Sequence, residues 1–444
     1  MTLPLARRRE VIAALRNGTV PRKGLEALAT GLDRFERAVD EELARCASGG
    51  AVFKAVRGEY GAGKTFWARW IQHRAQLAGF ATAEVQINET ETPLHRMETI
   101  YRRAMENLRT RDWDDGAFRT LVGRWFFALE EEVLARPGMD NADASALSTA
   151  VSALLEQRLS EVSRTQPSFA AALRRCHQAR SRAEHGLEEG LLSWLMGQPH
   201  VSADIKRAAG LKGEVDHFMA SAFFRGLLAM LQQSGRKGLL LVLDEAETIQ
   251  RMRGDVREKS LNALRQWIDD IDGGRYPGLY LVVTGTPAFF DGPQGVKRLA
   301  PLAQRVHVDF DDDPRWDNTR AVQVRLLPFD HARLCEVGRK VRDLYPATEP
   351  DRVRARVSDD LVAALARDVS AGLGGRVGIA PRIFLKKLVA SVLDRVDEHA
   401  DFDPAQHFKL TLDAKELTAD ERHAAGIERS VDEVELDLSS DDKG

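Results

Sequence analysis

The sequence predicts an α/β protein built on a parallel sheet wound with helices. Three stretches carry that expectation: AVFKAV at 51–56, LLLVLDE at 239–245 and GLYLVVTGTP at 278–287. Each is short and almost wholly apolar, as strands covered by helices on both faces must be. Longer stretches with apolar residues at helical spacing run between and after them, which is the alternation of a doubly wound sheet. Two further runs complete the strand set, ATAEVQIN at 81–88 and AVQVRLLPF at 321–329.

The other elements follow in chain order. Apolar spacing from Arg7 to Leu15 is helical and ends at Gly18 and Pro21, and a second helix is expected from Asp33 to Ala47. Gly49-Gly50 breaks the chain before the first strand. After the loop that follows it, an amphipathic stretch starts at Thr65 and turns Phe66, Trp67, Trp70 and Ile71 inward. The second strand ends in the polar cluster Asn88, Glu89, Thr90. The segment from Pro93 to Gly235 reads as almost entirely helical, with breaks near Pro137-Gly138, Pro167 and Gln198-Pro199. A helix from Lys259 to Ile271 separates the third and fourth strands. Past the fifth, helical patterns over His331–Tyr345, Asp359–Val369 and Pro381–Val396 predict a small helical domain. Beyond Asp403 the chain turns polar, and its last stretch, SVDEVELDLSSDDKG, is acidic and expected to be disordered or docked on a partner.

Composition narrows the class. Of 444 residues, 43% are hydrophobic and 30% charged, ordinary for a globular protein, and the formal net charge is -3. A near-neutral chain offers no overall attraction for a polyanion, so any nucleic-acid contact must use a local basic face. Cys46, Cys176 and Cys335 lie far apart without metal-ligand spacing, and His177 and His200 show none either. Arg7, Arg8 and Arg9 precede an apolar patch too short for a signal segment, and no stretch is long enough to cross a membrane. A cytoplasmic protein without a membrane partner is expected.

The chemistry concentrates at Gly58-Glu59-Tyr60-Gly61-Ala62-Gly63-Lys64-Thr65, a match to G-x-x-x-x-G-K-[ST] placed between a strand and a helix. Glycines let backbone N–H groups turn toward a β-phosphate, and the helix behind the loop offers its partly positive N-terminus. These residues and Phe66 are the candidate ATP contacts. Lys64 would neutralise the β- and γ-phosphates and Thr65 would give its hydroxyl to Mg²⁺. In LLLVLDE, Asp244 would join the Mg²⁺ shell and Glu245 would polarise an attacking water. Alone, two acids at a strand end are more often a solvated edge; behind a phosphate loop they read as a hydrolytic pair. Glu245 also argues against a small-molecule kinase, which has no need to activate water.

Other strand ends should face the same crevice. Thr284 is placed to sense the γ-phosphate or the water, or else simply caps its strand. Asn88 would hold Glu245 in an inactive orientation, or else is a plain turn residue. Arg305 and its neighbour Arg298 could reach an adjoining subunit, and Arg382, opening APRIFLKKLV, could swing onto the phosphates; surface ion pairs are the alternative for each. Arg174, Arg175, Arg180 and Arg182 could track a nucleic-acid backbone, but a solvated helix face is the commoner explanation. Core packing is the default for Trp113, Trp125, Phe126, Phe127 and Trp194.

Taken together, GEYGAGKT, LLLVLDE, Thr284, Arg305 and a lid bearing Arg382 resemble an AAA+ (ASCE-type) P-loop NTPase of the origin-recognition and helicase-loader branch. The phrases RRREVIAALRNGTVPRKGLEALATGLDRFE, GEYGAGKTF, NETETPLHRMETIYRRAM and GIAPRIFLKKLV resemble, more closely, the BrxD family of BREX phage-defence ATP-binding proteins. The resemblance spans about residues 7–395. It implies a bacterial phage-defence role, ATP and Mg²⁺ binding and a helicase-like partner from the same defence system; the expected function is an AAA+ ATPase that forms a homo-oligomer and couples ATP to assembly on DNA or on that partner. It also implies an adenine cradle at Val20, Pro21 and Leu32, and catalytic roles for Glu245, Lys64, Thr284, Arg305 and Arg382. The expected organisation is an N-terminal helical segment (1–48), a nucleotide-binding domain (49–330), a helical lid (331–402) and the acidic tail (403–444). Lys64 and Asp244 lie 180 residues apart, so a helical insertion at about 101–235 is expected. Too few residues follow Val396 for a full winged-helix domain. The rival readings are a slowly hydrolysing switch NTPase and, less favoured, a P-loop kinase.

Overall fold

The computed structural model describes residues 3–139, 143–375, 378, 380–418, 421–422 and 425; the acidic stretch 430–444 lies outside them. All five expected strands form: β1 (Val52–Arg57), β2 (Ala81–Gln86), β3 (Leu239–Asp244), β4 (Leu279–Gly285) and β5 (Gln323–Arg325). They make one parallel sheet in the order β2-β3-β4-β1-β5. The chain divides into two compact units, one formed by Arg34–Arg57 and Trp67–Arg325, the other by the residues up to Asp33, Gly58–Phe66 and the residues from Leu326 onward.

The first unit holds the sheet. Leu239 to Leu243 of β3 and Leu279 to Val283 of β4 are almost fully buried, which is why the sequence shows continuous aliphatic runs there instead of alternation. Leu239 pairs with Leu279 and Leu243 with Val283, while on the other side of β4 Val56 of β1 pairs with Thr284. Aromatic edges join the helices to this layer. Tyr101 of helix Met97–Glu106 meets Phe224 of helix His217–Gln233 at 5.0 Å, Phe224 meets Trp267 of helix Gly254–Asp272 at 5.4 Å, and Trp267 stacks on Tyr276 at 5.2 Å. Such pairs are worth about 0.5–1.5 kcal/mol each beyond their burial.

Between β2 and β3 the chain is helical throughout its described residues, apart from connecting loops. Pro167 takes the first position of helix Pro167–Ser181, where its missing N–H costs nothing. Trp125, Phe126 and Trp194 are buried there as core residues, whereas Phe127 is 58% exposed and Trp113 is only partly covered beneath Arg124.

One buried charge ties this unit together. Lys54 of β1 is 2% exposed; its ammonium meets Glu42 at 2.5 Å and donates to the carbonyls of Ala321 at 2.8 Å and Thr319 at 3.1 Å. The Tyr280 hydroxyl donates to the other oxygen of Glu42. Burial pulls the Lys54 ammonium below its usual range and pushes the Tyr280 phenol well above its own. The cluster fixes helix Asp33–Ala47 and the chain before β5 onto the strand that leads into the glycine loop.

In the second unit, helix Leu5–Arg16 packs in one apolar core with helices His331–Leu344, Asp359–Gly372 and Pro381–Lys387 through Val11, Ile12, Leu334, Val362 and Phe384. Arg8 donates to the carbonyls of Leu344 and Tyr345 and so caps the end of helix His331–Leu344. Arg16 grips Asp394 with two bonds of 2.6 and 2.8 Å. The sequence treats residues 1–48 as one segment; in the structure its first helix shares the core of the C-terminal helices, while Arg34 to Ala47 belongs with the sheet. Helix Pro350–Arg356, with proline at its first turn, is an addition to the expected set, and a π-helical turn, Leu388–Leu393, interrupts the expected helix from Pro381 to Val396.

Removing the counter-charge should expose the cost of burying Lys54. Glu42→Ala is expected to lower unfolding free energy by about 3–5 kcal/mol, because it strands an ammonium in the core. Equilibrium urea denaturation measures this, and a change under 1 kcal/mol would remove the cluster's structural role.

Candidate nucleotide site

The phosphate loop starts at Gly58, the residue after the end of β1, and runs into helix Lys64–Leu77. Gly61 and Gly63 take φ of +80° and +88°, where a side chain would be strained. Gly58 needs its small size for a different reason: a Cβ there would lie 3.3 Å from the Cβ atoms of both Ala62 and Leu326. Within the loop the Lys64 ammonium donates to the Gly58 carbonyl at 2.9 Å and more distantly to that of Glu59, at 3.5 Å. It also lies 4.9 Å from the centroid of the Tyr60 ring. Thr65 stands in the helix's first turn beside the N–H groups that a helix leaves unpaired, and Phe66 is half-buried next to it. In the same unit Pro21 is buried and Val20 and Leu32 are half-buried.

At the end of β3 the second half of the chemistry is built by the sheet. Asp244 is 5% exposed and its carboxylate accepts the hydroxyl proton of Thr284, itself completely buried. The same hydroxyl accepts the backbone N–H of Glu245 at 3.2 Å. One threonine of β4 thus fixes both acidic residues of β3. Glu245 adopts φ +60°, a left-handed backbone uncommon outside glycine, and it projects an exposed side chain where the chain leaves the sheet. Its carboxylate accepts a 2.7 Å bond from the Gln86 amide at the end of β2.

That last contact redirects one expectation. Asn88 does not reach Glu245; its side-chain oxygen accepts the backbone N–H groups of Thr90, Glu91 and Thr92 at 3.1, 2.7 and 3.0 Å, closing a turn. Gln86 holds Glu245 instead. Gln86 pairs in register with Asp244, which brings its amide beside the following residue, Glu245; this pairing is tertiary, and the strand run alone does not announce it.

The arginines are all engaged within the chain or exposed. Arg305 bonds to Asp269 and to the Pro301 carbonyl, at 2.6 Å in the latter case, while Arg298 is exposed on a short 3-10 turn. Arg382 donates from Nε to Glu421 at 2.9 Å, from its terminal nitrogen to the other Glu421 oxygen, and to the Glu416 carbonyl at 2.6 Å. In the arginine-rich helix, Arg174, Arg175 and Arg180 pair with Glu156, Glu184 and Glu188, which leaves Arg182 as the exposed member and favours a salt-bridged face over a cationic track. His177 is buried against Phe126, and burial pulls its imidazole below the usual range. Among the described residues no cluster of three or more His, Cys, Asp or Glu could hold a metal by itself, and no helix is long and apolar enough to cross a membrane.

A parallel sheet whose β1 leads through G-x-x-x-x-G-K-T into a helix, with an acidic pair ending β3, is the framework of a P-loop nucleotide-binding protein. The family model of the BREX system ATP-binding protein BrxC/D matches residues 3–412, and the chain belongs to that family. A search of curated proteins finds no match. Family membership gives ATP as a ligand and supports an ATP-binding role in phage defence.

The loop geometry predicts a specific failure. Gly63→Ala, which puts a methyl group on a φ of +88°, is expected to weaken ATP binding at least ~10-fold while leaving the fold intact, since the strain is of order 1–2 kcal/mol. Titration with a fluorescent ATP analogue reads it; unchanged affinity would mean that the loop does not need this backbone shape.

Proposed function

We propose that the chain is an AAA+ ATPase of the BrxD branch of its family, which hydrolyses ATP to drive assembly on DNA or on a helicase-like partner. The observation that carries this reading is the Thr284 hydroxyl, which fixes Asp244 and the backbone of Glu245 at one sheet edge. With β4 between them, β1 and β3 are two strand spacings apart, roughly 10 Å. The C-terminal helices serve as a lid, and the helices between β2 and β3 as an insertion into the nucleotide-binding domain.

In this account Lys64 and the loop N–H groups hold the β- and γ-phosphates. Thr65 and Asp244 supply a hydroxyl and a carboxylate, the hard oxygen donors that suit Mg²⁺, which when bound would neutralise charge on the phosphates. Glu245 accepts a proton from the attacking water once its carboxylate leaves Gln86. The Gln86 contact favours a slow basal rate and so lends weight to a regulatory switch as the second reading. Arg382 stabilises the transferring phosphoryl from the lid. Arg305 does so from a neighbouring copy in a homo-oligomer, a role that requires it to give up Asp269.

Glu245→Gln is expected to bind ATP with wild-type affinity and to hydrolyse it at least ~100-fold more slowly. Phosphate release and nucleotide titration on the same preparation measure both. Wild-type turnover in that variant would exclude Glu245 as the water-activating group.

A further inference from the structure

Arg382, the lid arginine of the proposed mechanism, is held by a carboxylate of its own chain. Glu421 is nearly buried, its side chain 3% exposed, and it takes Arg382 with both oxygens in the fork geometry that guanidinium groups use for carboxylates and phosphates alike. The contact is built in from both sides. Glu421 closes a capping box with Thr418: its carboxylate accepts the Thr418 N–H at 2.8 Å and its own N–H reaches the Thr418 hydroxyl at 3.3 Å. Three residues before Thr418 in the same strap, the turn Ala414–Glu416 is anchored separately. The Glu416 carbonyl accepts from Arg382, and the Glu416 carboxylate meets Lys387, the last residue of the same helix, at 2.7 Å. Leu417 between them is buried in the core of this unit.

The other face of Arg382 meets the turn after the first helix. A Cβ on Gly18 would lie 3.0 Å from an Arg382 guanidinium nitrogen, and Gly18 holds φ +69°. This turn leads directly into Val20 and Pro21. Arg382 therefore sits between the N-terminal turn and a C-terminal strap, with its anion-binding fork filled by Glu421.

We infer that Glu421 is an internal stand-in for the γ-phosphate: it occupies Arg382 until ATP arrives, and ATP binding releases Glu421 together with the strap residues Asp413–Thr418. A guanidinium fork pairs with one anion at a time, so phosphate and Glu421 compete. A Glu421 left without its cation is a poorly placed buried charge, so release of the fork opens the strap. Binding at the loop thereby changes the exposure of the chain's C-terminal segment, which is a signal a partner can read. This inference rests on the assignment of Arg382 to the nucleotide and deepens it.

The test uses the full chain, ATP and ADP. Glu421→Gln keeps the size and one acceptor for Thr418 but drops the charge; it is expected to tighten ATP about tenfold, as removal of a competing closed state does, and to leave ADP unchanged. Arg382→Ala should weaken ATP and abolish the gain in the double variant. In the wild-type chain, ATP should speed hydrogen exchange at the amides of Lys415, Glu416 and Leu417, a readout that needs no substitution. ATP affinity unchanged by Glu421→Gln, with Arg382→Ala still weakening it, would overturn the strap and leave the role of Arg382 standing. Unchanged affinity in Arg382→Ala would overturn that role itself. Unaltered or slower exchange in the strap would overturn the release.

Discussion

Strand β4 lies between β1 and β3, and the arrangement of the site depends on that register. Val283 pairs with Leu243 and Thr284 with Val56, so the last residues of three strands come to one edge of the sheet. The edge is held from within: the aliphatic faces of β3 and β4 are buried, and Lys54, Glu42 and Tyr280 lock β1 to its neighbours. A slip of one residue would exchange the two faces of a strand and turn Thr284 away from Asp244. The register is thus what allows a single hydroxyl to orient both acidic residues. That hydroxyl is also why Glu245 can sustain a left-handed backbone, because its N–H has a fixed acceptor in Thr284.

The strands and the glycine loop were legible because their causes are local. Continuous apolar runs such as Leu239–Leu243 and Leu279–Val283, each entered from a glycine, have few alternatives to a covered parallel strand, and a loop with positive φ at Gly61 and Gly63 needs those glycines in the chain. What depends on tertiary pairing was less legible. Asn88 and Gln86 are both amides near the end of β2, and only the register and the turn at Thr90–Thr92 decide that Gln86 reaches Glu245. Arg305 offered a cation near a strand, but nothing in its spacing shows Asp269 beside it. The first helix joins the C-terminal core through residues more than three hundred positions away, a grouping that no local pattern encodes. The partner of Arg382 did leave a trace, the capping-box pattern from Thr418 to Glu421, in a stretch that reads merely as polar.

The two carboxylates at the end of β3 therefore sit under opposite restraints. Asp244 is buried and fixed by a hydroxyl, whereas Glu245 is exposed and its carboxylate is held by the Gln86 amide. Arg382 shows the same logic as Glu245, a reactive group paired with a partner of its own chain. The family gives ATP binding in a BREX system.

The proposed function requires one Mg·ATP site per chain that both binds and cleaves the nucleotide. A calorimetric titration of the wild-type chain with ATP, with Mg²⁺ or with a chelator, followed by phosphate analysis of the same sample, tests it most directly. One site per chain, affinity that falls when Mg²⁺ is removed, and free phosphate appearing after binding are the expected results. Tight binding that ignores Mg²⁺, with ATP recovered intact, would contradict it.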